Sequence, residues 1–88
     1  MIANLAVERA IALKIIKQTH GKAEAEAEIS LGMFCRAAEA SVETVRVAIS
    51  EMQEKGLIKR FEPEYDFPFR MPRYSLARGG YWAYLRAE

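Results

Sequence analysis

Two serine-led amphipathic segments lie end to end within residues 29–56, ISLGMFCRAAEASVETVRVAISEMQEKG, with almost nothing between them. Each is too short to persist as an isolated helix in water, so both must bury their apolar faces against each other and against a third element. In the first, Ser30 is placed to cap the N-terminus, and Leu31, Phe34, Cys35 and Ala38 share a face. In the second, Ser41 is the cap, Val45, Ala48, Ile49 and Met52 share the buried face, and Gly56 ends the helix. The spacing predicts helices over 29–39 and 41–55, joined by a tight turn.

The preceding segment NLAVERAIALKIIKQTHGK predicts an amphipathic helix over 4–20, capped by Asn4 and ended at Gly21, with Leu5, Val7, Ala10, Ile11, Leu13 and Ile15 recurring at helical spacings. Ile16 falls outside that face, which implies contacts on two sides. KAEAEAEI, residues 22–29, is ambiguous: its alternation has the period of a strand, its composition the propensity of a helix. Its glutamates form either an acidic patch or a solvated connector. After Gly56 the period changes. LIKRFEP and RYSLA have strand character, and the proline-punctuated EYDFPFRMP between them predicts a hairpin with a long tip over 57–77. A short aromatic-rich segment, 80–87, follows.

These residues carry a resemblance. Ser30-Leu31, Phe34-Cys35, Ala38, Ala40-Ser41, Thr44-Val45, Ile49, Met52 and Gly56-Leu57-Ile58 resemble the helix-turn-helix of bacterial and archaeal winged-helix regulators. RYSLARGG is similar to the second wing strand and turn of the MarR-like, PadR-like and Rrf2-like groups. The resemblance spans over half the chain. It implies a mainly α fold with a β-hairpin (α+β), a winged helix-turn-helix with a three-helix core, a wing and a short C-terminal helix. It also implies a double-stranded DNA partner, with the third helix in the major groove. Glu39 departs from the pattern, which usually has glycine in the turn; a glutamate held at positive φ costs ~1 kcal/mol, so the shape of the turn stays open.

The second helix of the pair carries Glu43, Glu51 and Glu54, awkward company for a polyanion. With Val45 toward the core and 100° per residue, Glu43, Val47, Ser50 and Glu54 oppose it, flanked by Arg46 and Glu51. Only the N-terminal part of a reading helix enters the groove, which selects Ser41, Val42, Glu43, Thr44, Arg46, Val47 and Ser50 as the DNA-contacting set. Arg46 suits a guanine edge or a phosphate, and Val47 a thymine methyl. Ser41 and Thr44 suit phosphates at the helix start. Glu43 either complements the helix dipole or accepts from cytosine N4. Lys59, Arg60, Arg70 and Arg73 flank the hairpin loop against Glu62, Glu64 and Asp66, as backbone or minor-groove contacts or as a solvated hairpin. Tyr65, Phe67 and Phe69 at the tip either fold back on the core or offer a surface to a protein or an unpaired base.

The chain has 88 residues and a formal charge of +1, so composition alone does not announce nucleic-acid binding, and the positive excess sits in the C-terminal third. A chain this short hides roughly 60 to 65% of its unfolded surface. With 51% hydrophobic residues, apolar surface is expected to remain for a second copy. Leu5, Ile11 and Ile15 of the first helix, with Tyr81, Trp82, Tyr84 and Leu85, are the expected homodimer interface. The single Cys35 excludes an intrachain disulfide and fits a reducing cytoplasm. No secretory leader, membrane span, zinc spacing, phosphate loop or nucleophile constellation is visible. The expectation is therefore a binding protein without catalytic residues, metal or cofactor, acting as a small transcriptional regulator. The alternative is a winged-helix module for protein–protein interaction, or a replication or recombination accessory.

Overall fold

A computed structural model describes residues 5–22, 25–62 and 71–77. Among the described residues three helices and three short strands follow one another as α1 (Leu5–Gln18), β1 (Glu26–Glu28), α2 (Leu31–Ala38), α3 (Val42–Glu54), β2 (Ile58–Phe61) and β3 (Arg73–Leu76). The chain is a small α+β domain whose strands form one antiparallel sheet in the order β1-β3-β2. Asn4, the expected cap of α1, and 80–87 lie outside the described residues, as do Arg70 and the tip aromatics.

The helix boundaries follow from local chemistry. Ser30 and Ser41 have extended backbones, and their side chains accept hydrogen bonds from the amides of Met33 and Thr44, each satisfying an orphan donor of the first turn. At the end of α1, Thr19 Oγ1 donates to the Ile15 carbonyl at 2.8 Å, and the Gly21 amide donates to the Ile16 carbonyl. The left-handed conformation begins one residue before Gly21, at His20 (φ 56°). Gly56, at φ 71°, ends α3 as expected, and the Leu57 amide closes back on the Met52 carbonyl.

The turn between α2 and α3 keeps the shape that glycine would favour. Glu39 sits in the left-handed region (φ 51°, ψ 46°), and its amide and that of Ala40 both donate to the Cys35 carbonyl. An L-residue pays a steric penalty there because its Cβ crowds the carbonyl oxygen. Replacing Glu39 by glycine is expected to stabilise the domain by about 0.5 to 1 kcal/mol, net of the extra freedom of the unfolded glycine. Chemical denaturation checks this; a loss of stability would mean that the Glu39 side chain contributes more than its backbone costs.

Residues 22–29 resolve into a strand at their C-terminal end. Glu26, Ala27 and Glu28 pair with Ser75, Tyr74 and Arg73, and partnership with a distant strand outweighs the helical propensity of alanine and glutamate. β3 in turn pairs with β2, Ile58 opposite Leu76 and Arg60 opposite Tyr74. Because successive side chains alternate, Ala27, Ile58, Arg60, Tyr74 and Leu76 share the face toward the helices. Glu26, Glu28, Lys59, Phe61, Arg73 and Ser75 share the other face.

The core is built from α1 (Val7, Ile11, Ala12, Ile15), Ile29, Phe34 of α2, the α3 face Val45, Ala48, Ile49 and Met52, and Ile58, Tyr74 and Leu76 of the sheet. Phe34 packs edge-on against Tyr74, ring centroids 4.9 Å apart at 87°, joining α2 to the central strand. All four expected core residues of α3 are buried; α1 differs from the expectation. Ile11 and Ile15 are completely buried in the chain's own core, which corrects their assignment to a surface for a second copy. Leu5 and Leu13 instead face outward, 67% and 44% exposed, because they lie about 120° and 200° round the helix from Ile11. Glu8 takes a place on the buried side, and Lys55 Nζ at the end of α3 lies 3.7 Å from its carboxylate.

Candidate nucleic-acid interface

α3 is held by its apolar face and presents the other to solvent. Ser41, Val42, Glu43, Arg46 and Ser50 are exposed, while Thr44 and Val47 are half-buried. At the helix start, Ser41 Oγ accepts from the Thr44 amide at 3.2 Å and donates to Thr44 Oγ1 at 2.9 Å. The serine hydroxyl is thereby spent on the cap. The proton of the Thr44 hydroxyl and the first-turn amides of Val42 and Glu43, which lack helical carbonyl partners, are the donors left to meet an anion.

Arg46, Ser50 and Gln53 recur at four- and three-residue spacings and form one stripe along α3. Between this stripe and the inner face of the β2–β3 hairpin is a depression of about 390 Å³. Leu31, Ile49 and Pro72 supply its apolar lining, and Arg46, Ser50, Gln53 and Arg60 its polar groups. Arg60 is oriented from two sides: its Nε donates to Tyr74 Oη at 3.2 Å, and its Nη1 pairs with the Glu62 carboxylate. Arg46 has no ion pair among the described residues, so its five donors remain available.

The other expected basic contacts are arranged differently. Strand alternation puts Lys59 and Arg73 on the opposite face of the sheet from Arg60. Arg73 Nε there lies 3.3 Å from Glu26 of β1. Arg70 lies outside the described residues. Of the basic residues expected at the hairpin, Arg60 is therefore the described one that meets the α3 stripe. Gln53 was absent from the expected set, although its helical distance from Arg46 and Ser50 was readable. Gln53 lies beyond the N-terminal part of the helix from which the expected set is drawn.

The depression offers two guanidinium groups, an amide and a hydroxyl over an apolar base. Guanidinium groups match the O6 and N7 acceptors of guanine or a phosphate, and an amide matches the N6 and N7 edge of adenine. Glu43 and Glu54 are exposed on the same helix, so the charge there is mixed. Among the described residues no cluster of three or more metal-ligating side chains occurs, and no helix is long and apolar enough to cross a membrane. The chain matches no protein family, no curated protein and no solved structure.

Proposed function

We propose that the chain is a winged helix-turn-helix protein that binds double-stranded DNA sequence-specifically as a small homodimeric transcriptional regulator, with α3 in the major groove. The element order supports the fold assignment: a strand between the first two helices joins the sheet of the terminal hairpin, next to a capped helix pair with a left-handed residue at its turn. The observation that carries the functional reading is the stripe of Arg46, Ser50 and Gln53, facing Arg60 across one depression beside the open N-terminus of α3. Backbone amides and Thr44 would meet phosphate, and the stripe would meet base edges.

The homodimer rests on Leu5, exposed on α1, and on Tyr81, Trp82, Tyr84 and Leu85, which lie outside the described residues. A protein-binding role is the second reading. It is favoured by the ion pairs that already occupy Arg60 and Arg73, which leave less of the hairpin charge for phosphates.

Arg46→Ala tests the first reading. Its side chain is exposed and outside the core, so the fold is expected to survive while specific duplex affinity falls by ~1 to 3 kcal/mol. Fluorescence anisotropy with a labelled duplex chosen for tight binding from a random-sequence pool measures the change. An unchanged affinity removes Arg46 from the reading role.

A further inference from the structure

On a different side of the molecule α1 and α2 form a groove that the DNA-binding reading does not use. Its volume is about 770 Å³. Ala10 and Leu13 of α1 and Met33 and Ala37 of α2 give it an apolar base, and Lys14, Lys17 and Arg36 stand along its sides. The α1 members recur at i, i+3, i+4 and i+7, so they form one stripe two helical turns long, roughly 10 Å. The small side chains of Ala10 and Ala37 let a third backbone approach closely between the two helices.

The charges around this groove have no acidic partner among the described residues. Lys55, Arg60 and Arg73 each have a carboxylate partner, but among the described residues Lys14, Lys17 and Arg36 are in no ion pair. Leu13, 44% exposed, lines the same groove as these three cations, so apolar surface and unpaired positive charge lie side by side. An occupant apolar on one face and acidic at its margins would complement both features.

We propose that the α1–α2 groove docks an acidic amphipathic helix of a partner protein, its apolar residues on Leu13 and Met33 and its flanking carboxylates on Lys14, Lys17 and Arg36. Helix-in-groove recognition needs this pattern of anchors on one face with a charged rim that sets orientation. A nucleic-acid backbone would use the cations and leave Leu13 exposed. The apolar residues that a second copy leaves exposed on its described helices, Leu5, Leu13 and Val42, are isolated from one another and form no continuous acidic-rimmed stripe to fill it. The groove and the α3 depression share no lining residue, so both can be occupied at once.

The probe is a fluorescein-labelled synthetic peptide of about four helical turns, with leucines on one face flanked by glutamates, titrated into the full chain. A scrambled peptide of identical composition, a labelled DNA duplex and vesicles containing phosphatidylglycerol are titrated alongside. Saturable binding of the amphipathic peptide is expected, with amide shifts confined to residues 10–17 and 33–37, while neither the scrambled peptide nor the vesicles bind and the duplex shifts no residue of this groove. Lys17→Glu with Arg36→Glu should weaken it about tenfold, through two reversed rim charges, and weaken duplex binding less, through net charge alone. Leu13→Ser, which touches only an exposed side chain, should weaken it as well and stands in if the double variant does not fold. Failure of the peptide to bind, equal binding of the scrambled peptide, or shifts elsewhere would overturn the proposal. So would a double variant that keeps the peptide but loses the duplex or the vesicles, since the cations would then serve phosphate. Because the DNA-binding reading is tested on Arg46, either proposal can fail while the other stands.

Discussion

Replacing Phe34 by alanine is expected to cost about 3 to 5 kcal/mol, one of the largest losses a single side chain of this domain can cause. Phe34 is fully buried among the helices and packs edge-on against Tyr74 of the central strand, so the truncation removes a contact between layers as well as apolar area. A domain of this size has a total stability of roughly 4 to 13 kcal/mol, so the loss is a large fraction of it. A fall in Tm of roughly 12 to 40 °C follows from the entropy of unfolding of so short a chain. Phe34→Leu, which keeps most of the volume, is expected to cost about 1.5 kcal/mol and to remain folded. Circular dichroism melts of the three proteins decide the matter. If Phe34→Ala melts within a few degrees of the parent, the packing of α2 on the sheet is not what holds the domain together.

The second large effect belongs to the proposed DNA interface. Arg46→Ala combined with Arg60→Ala removes both guanidinium groups from one depression, and the fold is expected to survive because neither side chain belongs to the core. If each contributes the ~1 to 3 kcal/mol usual for an arginine in a specific contact, duplex affinity falls by ~2 to 6 kcal/mol, less whatever the pair shares by coupling. The salt dependence separates the roles of the two. Each arginine that serves a phosphate lowers the slope of log K against log salt by about 0.9, whereas a base contact lowers affinity with little effect on the slope. Arg60 is held by Tyr74 and Glu62, so a smaller loss than for Arg46 is expected when each is removed alone.

What could be read from the residues was mostly local. The caps Ser30 and Ser41, the stop at Gly56 and the buried face of α3 all follow from side chains within a turn or two of the feature they determine. β1 could not be settled in that way, because alanine and glutamate favour helix and only pairing with Arg73–Ser75 decides the outcome. Periodicity identified α1 as two-sided but did not say what each side meets. Ile11 and Ile15 went to the chain's own core, and the outward residues Leu13, Lys14 and Lys17 meet α2 at an open groove.

The candidate site was legible to a similar depth. Arg46 and Ser50 follow from helical geometry once the core direction of α3 is known, and Gln53 continues the same stripe. The inward turn of Arg60 and the outward turn of Lys59 depend on strand register, which is set by a partner strand more than ten residues away. Glu39 is the instructive exception: its side chain argues against the left-handed turn, and the turn forms regardless because both helices that it joins are tied into the core.

Whether the depression between α3 and the hairpin serves duplex DNA is tested most directly by following the anisotropy of a labelled random duplex with the unaltered chain at two salt concentrations. Phosphate-based binding is predicted to appear at low salt and to weaken steeply as salt is raised, in proportion to the number of phosphates neutralised. Absence of binding at low salt, or binding indifferent to salt, would contradict the account and leave the α3 depression as a surface for some other ligand.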